Sequence, residues 1–362
     1  MKTNTFKKLL SLVSAVALTL SLAACGGGND ISDSQGGTGP STAQPAGTQP
    51  VGPQGSTANP EDGRYKIAVV KQMDHASLDE IANAVTARLD EIAAEKGIAI
   101  EYEVYSGQGD QSVLKQIGDQ VIADKVDAVI PVATLAAQVM TVCAEESKTP
   151  VVFAAISDPA AADLTGIDYV TGTSDALNTE FILDMMLAQN PNPERVGLLY
   201  SMSEANSATP IAEAKAYLDA KGIRYEEAIA NTNDEVISAA SSLISLGVDA
   251  IFTPTDNIIM SAELAIYEDL IIQGIPHYTG ADSFVRNGAF ITCGVNYTNL
   301  GRDTADLAYQ AITEGMAGLE DFYKVDGGII TVNTETAGGL GIDYAAIFGS
   351  MGELVEVQTT EE

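Results

Sequence analysis

From Lys66 onward the chain alternates short, unbroken apolar runs with longer segments whose apolar residues recur every three or four positions. KIAVV (Lys66 to Val70) reads as a strand, and Ser77-Leu78-Asp79-Glu80 opens a capped amphipathic helix carrying Ile81, Val85, Leu89 and Ile92. A strand from Ile98 to Tyr105 follows, then a helix from about Asp110 with Val113, Ile117, Val121 and Ile122 on one face. The run at 127 to 132 is a third strand, 134 to 146 a helix and 149 to 156 a fourth strand. Strands made of uninterrupted Val, Ile and Leu are covered on both faces, which makes the sheet parallel.

The same rhythm then restarts. RVGLLYS (195 to 201) matches KIAVVKQ, VDAIFTPTDN (248 to 257) matches VDAVIPVAT (126 to 134), and GIPHYTG (274 to 280) matches KTPVVFAA. Between them lie a helix from about Ser207 to Lys221, a strand from Arg224 to Ile229 and a helix from about Glu235 to Leu246. Thr179 to Gln189, stopped by Asn190-Pro191, is the linking helix. The duplication predicts two similar α/β lobes, each a parallel sheet flanked by helices, hinged around a ligand cleft.

Such sheets place ligands beyond the carboxyl ends of their strands, where helix N-termini offer free backbone N–H groups. In the first half those positions are Gln72-Met73-Asp74-His75, Ser106-Gly107-Gln108, Ala133-Thr134 and Ser157-Asp158. In the second they are Ser203 to Ser207, Thr255-Asp256-Asn257 and Ala281-Asp282-Ser283. Small hydroxyl, amide and acid side chains dominate, a set suited to a small polar organic ligand.

The first 24 residues form a different unit. Lys2, Lys7 and Lys8 precede an apolar run from Leu9 to Ala24, too short for a membrane span and ordered like an export signal. Leu22-Ala23-Ala24-Cys25 resembles the lipobox of bacterial lipoproteins, in which the cysteine becomes the lipid-bearing N-terminus. Residues 25 to 63 continue in Gly, Ser, Thr, Gln and Pro, the composition of a flexible tether. The expected location is the extracytoplasmic face of a cell membrane, through a palmitate-type anchor on Cys25.

The charge balance narrows the partners. With 18 basic against 50 acidic side chains in 362 residues, no basic surface can neutralise a run of phosphates, which excludes nucleic acid. Three of the 18 basic residues leave with the leader, so the mature chain is more anionic still and is held off anionic headgroups. A content of 46% hydrophobic and 19% charged residues is that of an ordinary folded interior.

Cys143 sits in a helical pattern and Cys293 in a strand pattern, without CxxC spacing; either two buried thiols or a bond between them fits the compartment. His75 and His277 stand in unrelated contexts, so no metal and no cofactor is expected. There is no HExxH, GxSxG or Walker loop, and SGQG at 106 to 109 lacks the third glycine of a dinucleotide fingerprint, so no enzyme is expected.

KQMDHASLDE, VATLAAQ, SDP at 157 to 159, TGTSD at 171 to 175, LLYSMSEANS, PTDN at 254 to 257 and GADSFVRNGAF followed by GVNYTNLG together resemble one family. It is that of the ABC-transporter substrate-binding lipoproteins of tryptophan and tyrosine uptake, with a periplasmic-binding-protein type I fold, and the resemblance spans about Lys66 to Gly341. His75-Ala76 departs from the His-Pro more usual there. The resemblance implies a first lobe at 64 to 172 plus 284 to 325, a second at 173 to 283 plus 326 to 357, an acidic tail at 358 to 362, and three crossings that act as a hinge. It further implies an aromatic amino acid as ligand, and an ABC permease with its ATPase as partners. The same fold binding a sugar or nucleoside, or a sensor coupled to a membrane signalling protein, are the alternatives.

A bound amino acid needs partners for its carboxylate and its ammonium. Asp256 is the candidate for the ammonium, as an N-cap of the helix beginning near Ile258, or as both. Thr134, with the N–H groups opening its helix, is the candidate for the ligand carboxylate or a plain cap. Asn206, Ser207, Asn257, Asp282, Ser157 and Asp158 complete the candidate set, and Met73 and Tyr200 are candidates for an aromatic slot.

Overall fold

The computed structural model describes residues 63–360. The leader, Cys25 and all of the tether but Gly63 lie outside the described residues, as do the last two glutamates of the tail.

Two sheets carry the body. In the first lobe β1 (Arg64–Lys71), β2 (Ala99–Ser106), β3 (Ala128–Val132), β4 (Val151–Phe153) and β5 (Val170–Ser174) stand in the order β2-β1-β3-β4-β5. In the second, β6 (Arg195–Tyr200), β7 (Arg224–Ile229), β8 (Ala250–Thr253), β9 (His277–Thr279) and β10 (Ile291–Gly294) repeat it as β7-β6-β8-β9-β10. The short β11 (Tyr323–Lys324) then returns to the edge at β5, while β12 (Ile329–Asn333) and β13 (Leu354–Val357) extend the second sheet beyond β10. All pairings are parallel except β10 with β12, so the second sheet is mixed where a parallel one was expected.

The repeat extends to single bonds. The aspartates of the two Val-Asp-Ala segments, Asp127 and Asp249, each accept through Oδ2 from a backbone N–H near the start of the first strand of their own half, Lys66 at 2.7 Å and Arg195 at 2.9 Å. Each donates its own N–H back to that residue's carbonyl at 2.8 Å. The sequence match thus records the same strand-locking contact twice.

The chain passes between lobes at 175–178, 295–296 and 325–328. The first crossing follows the expected position by two residues, because β5 continues to Ser174. The second corrects the expected boundary at 284: β10 pairs with β9 and β12, so the helix Asp282–Arg286 and β10 belong to the second lobe. At the third, Val325 still donates its N–H to Ser174 of the first lobe at 3.0 Å. The linking helix spans Thr179–Gln189 as expected, and the helix expected at 134 to 146 ends at Cys143. Of the tail, Thr360 donates its N–H to the Arg286 carbonyl at 2.9 Å and Thr359 Oγ1 accepts from Asn333 Nδ2 at 2.9 Å, which docks 358–360 on the second lobe.

The helices Ala76–Lys96 and Tyr297–Glu314 pack face to face over the first sheet. Gly301 permits their approach: a Cβ there would stand 2.6 Å from the Ile81 carbonyl oxygen and 2.8 Å from Ala84 Cβ. The contact fixes Ile81 and Tyr297 at the inner end of the cleft. Leu78 and Ile81 of the first lobe join Met260, Ala281 and Phe284 of the second in one continuous apolar cluster, so the lobes are closed on each other. Cys143 and Cys293 are free thiols in the cores of different lobes.

Candidate functional site

A small cavity of about 30 Å³ lies between the lobes, at the carboxyl ends of both sets of strands. That is room for about two waters, so a ligand of amino-acid size enters only if the walls move apart. The first lobe supplies His75 after β1, Ala133 and Thr134 after β3, Ala155 and Ser157 after β4, and Asp175 after β5. The second supplies Asn206, Thr255, Asp256, Asn257 and Ser283. One stretch of wall is apolar, made by Leu78, Ile81, Met260 and Phe284. No Lys or Arg lines the cavity.

Two hydrogen-bonded strings cross from lobe to lobe around this space. In the first, Ser157 Oγ donates to Asp175 Oδ1 at 3.0 Å and lies 2.9 Å from Thr255 Oγ1, while Asn206 Nδ2 donates to the Thr255 carbonyl. Tyr297 completes it by donating its hydroxyl to Asp175 Oδ2 at 3.1 Å. In the second, the Leu135 N–H donates to Gln72 Oε1 at 3.1 Å and Gln72 Nε2 donates to Glu204 Oε1 at 2.8 Å. Asn257 Nδ2 donates to Glu204 Oε2 at 2.7 Å, and Asn257 Oδ1 lies 2.9 Å from His75 Nε2. Outside the cavity Thr209 donates to Asp158 Oδ2 at 2.7 Å, a third tie between lobes.

The electrostatics follow from burial. Asp175 is held above its ordinary carboxylate range by loss of water, against the hydrogen bonds from Ser157 and Tyr297. Tyr297 is pushed up by burial and by Asp175 beside it, so its hydroxyl is a neutral donor. Glu204 is raised to about 7, first by burial and then by the Asp256 carboxylate. His75 is lowered to about 4 by burial, which keeps its ring neutral. Asn206 Oδ1 and His75 Nδ1 are buried acceptors without a partner in the protein. Buried acceptors are usually satisfied, so both point to a ligand as the missing donor.

Local backbone also marks the site. Ala133 (φ 76°) and Ala155 (φ 58°) both hold positive φ beside the cavity, a costly region for alanine. Three long helices begin around the interlobe site without a side-chain cap, at Ala76, Thr134 and Ala205. The other helices of ten or more residues carry one, at Asp110, Asn178, Thr232 and Asn296, the last of these beside the cavity at Tyr297. The uncapped ends leave N–H groups and positive dipole ends turned toward the cleft.

The structure brings Thr134, Ser157, Asn206, Asp256 and Asn257 to the cavity wall, but not Asp158, Ser207 or Asp282. Asp158 caps Ala161 and ties to Thr209, and Ser207 donates to Asp256 Oδ2 at 2.7 Å. Asp282 pairs with Arg286 at 2.9 Å, leaving a buried Oδ1 without a partner. Asp256 is fully committed to the protein: Oδ1 caps Ile258 and Ile259 at 3.1 Å each, and Oδ2 accepts from Ser201 N–H and Ser207 at 2.7 Å each. A carboxylate has about four acceptor positions, so Asp256 is a cap and has none left for an ammonium. Met73 packs against the core at its edge, and the Tyr200 hydroxyl is turned to Glu227 at 2.6 Å, so neither forms an aromatic slot. Leu78, Ile81, Met260 and Phe284 make the apolar stretch of the wall, and Asp175, His75 and Tyr297 are polar lining residues that the candidate set lacked. The only sequence signals for these were that His75 follows a strand and that Asp175 closes TGTSD.

Among the described residues no helix is long and apolar enough to cross a membrane, and no cluster of His, Cys, Asp and Glu could hold a metal. A tyrosine-binding protein of Clostridioides difficile is 26% identical over 75% of this chain and 79% of its own length. The ABC domain in complex with L-Trp from Streptococcus pneumonia superposes with a TM-score of 0.73 at 28% identity, covering 81% of this chain and all of that one. The ligand-free, open structure of a substrate-binding protein with adhesive properties from Clostridium difficile gives a TM-score of 0.62 at 25% identity, over 82% of this chain and all of that one. Residues 66–348 match the family described as ABC transporter substrate binding protein. The chain belongs to that family, whose extracytoplasmic members bind a small molecule, serve a transporter and are not enzymes.

Proposed function

We propose that this protein captures a free amino acid with an aromatic side chain in the interlobe cavity and delivers it to an ABC permease, tethered to the membrane by lipid on Cys25. The observation that carries the reading is the division of the cavity wall. An acidic, acceptor-rich end holds Asp175 and Asn206 Oδ1, while Leu78, Ile81, Met260 and Phe284 make an apolar stretch. In the proposed pose Asp175 and Asn206 take the ammonium, since Ser157 and Tyr297 use one position on each Asp175 oxygen and leave the others open. An ammonium beside Asp175 reverses the effect of burial and ionises it. Thr134 and the N–H groups at the start of the helix Thr134–Cys143 other than that of Leu135, which Gln72 occupies, take the ligand carboxylate, with Ser157 and Asn257 holding the walls in place.

A sugar would ask for several bidentate partners and stacking rings. Here the Tyr297 hydroxyl is already spent on Asp175, and Phe284 is the other aromatic ring of the wall apart from the His75 imidazole. The tyrosine-binding relative and the L-Trp complex support the same ligand class.

Isothermal titration of the purified protein with the twenty amino acids and a panel of sugars tests the reading. Saturable binding of Trp, Tyr or Phe, weakened about 10- to 100-fold in Asp175→Asn, is expected; binding of a sugar alone would overturn it. For the anchor, incorporation of labelled palmitate should be lost in Cys25→Ala, and equal labelling of that variant would refute it.

A further inference from the structure

The second interlobe string sets the orientation of every amide and ring along it. The Leu135 backbone N–H can only donate, so the Gln72 atom facing it at 3.1 Å is the acceptor Oε1 and the Gln72 Nε2 is turned to Glu204. Above about pH 7, where Glu204 is ionised, it accepts on both oxygens, from Gln72 and from Asn257 Nδ2, which leaves Asn257 Oδ1 as the acceptor facing His75. With Glu204 ionised, His75 carries its proton on Nε2, and Nδ1 is left as a bare acceptor. That atom is buried without a partner, on a residue that lines the cavity. Burial keeps the ring neutral, in agreement with this tautomer.

His75 and Asp175 stand at opposite ends of the row of loops in the first lobe. His75 follows β1 and Asp175 follows β5, with β3 and β4 between them. Three strand spacings separate them, roughly 14 Å between strand axes. A ligand whose ammonium is held at Asp175 meets His75 with the far end of its side chain. Leu78 and Ile81, one turn and two turns along the helix that starts beside His75, form the apolar wall along the way.

We propose that His75 Nδ1 selects aromatic amino acids that carry a hydrogen-bond donor on the ring, an indole N–H or a phenol O–H, over those that do not. The inference rests on the amino-acid reading above and adds the feature that discriminates within the class. A site built to pair a ligand N–H or O–H rejects the analogue lacking it, because its own buried acceptor is then stranded. Asn257, Glu204 and Gln72 are positioning residues here, since they act only by fixing which nitrogen of His75 is bare.

Binding of L-Trp, L-Tyr, L-Phe, 1-methyl-tryptophan and O-methyl-tyrosine to the wild-type protein, His75→Leu and His75→Gln tests it. In the wild type, methylating the donor should weaken binding about tenfold. In His75→Leu, Trp and Tyr should weaken by about the same tenfold factor, each methylated ligand should match its parent, and L-Phe should be unchanged. His75→Gln, which can present an acceptor, should restore part of the preference. A loss shared equally by Trp, Tyr and Phe, or a methylation penalty as large in His75→Leu as in the wild type, would overturn the role of His75 and leave the amino-acid reading standing. Failure of the wild type to bind any of the three would overturn both.

Discussion

Gln72 of the first lobe and Glu204 of the second meet in a buried hydrogen bond of 2.8 Å from Gln72 Nε2 to Glu204 Oε1. The bond exists only while the lobes are closed, so it biases the open–closed equilibrium and not the fold of either lobe. Gln72→Leu leaves Glu204 Oε1 and the Leu135 N–H without partners, a cost borne by the closed form alone. An expected loss of about 2 kcal/mol in closure lowers apparent ligand affinity by roughly thirtyfold. Small-angle scattering of the ligand-free variant should show a larger radius of gyration than the wild type; unchanged scattering and affinity would contradict this role.

Two aspartates of the cavity wall should separate stability from binding. Asp256→Ala removes a helix cap and the acceptor for Ser201 and Ser207, an expected cost of about 2–4 kcal/mol in unfolding free energy. Asp175→Asn keeps the shape and removes a charge that burial disfavours, so stability should change by less than about 1 kcal/mol while affinity falls about 10- to 100-fold. Urea unfolding and calorimetric titration of both variants measure the split.

Burial raises Glu204 from 4.5 to about 7 in the folded protein. Between those values the folded state holds a proton that the unfolded chain has released, so stability increases as pH falls through 7. His75 acts in the opposite sense: it drops from 6.5 to about 4 on folding, so the unfolded chain protonates first and stability decreases as pH falls below 6.5. The two oppose each other at lower pH, where Asp175, Asp256 and Asp282, all raised by burial, add to the Glu204 direction. Glu204→Gln should flatten the rise in melting temperature from pH 8 to 6.5, and His75→Leu should steepen the rise below 6.5. An unchanged slope near neutrality in Glu204→Gln would refute the assignment.

The approach of the helices Ala76–Lys96 and Tyr297–Glu314 depends on a hydrogen at Gly301. Gly301→Ala would force the Ile81 backbone and Tyr297 apart, at an expected cost of about 1–3 kcal/mol by overpacking. Because those residues line the cavity, ligand affinity should fall with stability, which thermal melts with and without ligand would record. Wild-type values for both would show that the contact yields freely.

The duplicated architecture was legible because local pattern and long-range pairing agree: the two Val-Asp-Ala segments make the same bonds, and Asn178 and Asn190-Pro191 bound the linking helix. The second crossing was misplaced because nothing local near 284 distinguishes a strand that stays in its sheet from one that leaves; β10 is held by β9 and β12. Candidate residues were found where they follow strands, but their roles depended on partners far along the chain. Asp256 looked available until Ser201 and Ser207 saturated it. Asp175 gained its position through Ser157 and Tyr297, the latter 122 residues away. Tyr200 sits at a strand end like the residues that line the cavity, yet its ring belongs to the second lobe's core.

The most direct measurement uses the absence of tryptophan from the chain: excitation at the red edge of indole absorption reports only added L-tryptophan. Titrating the protein into L-tryptophan should give a saturable rise in emission anisotropy that L-tyrosine and L-phenylalanine reverse and that Asp175→Asn shifts to about 10- to 100-fold higher protein concentration. Anisotropy that stays at the free value in the wild type, with no competition to measure, would contradict capture of an aromatic amino acid in the interlobe cavity.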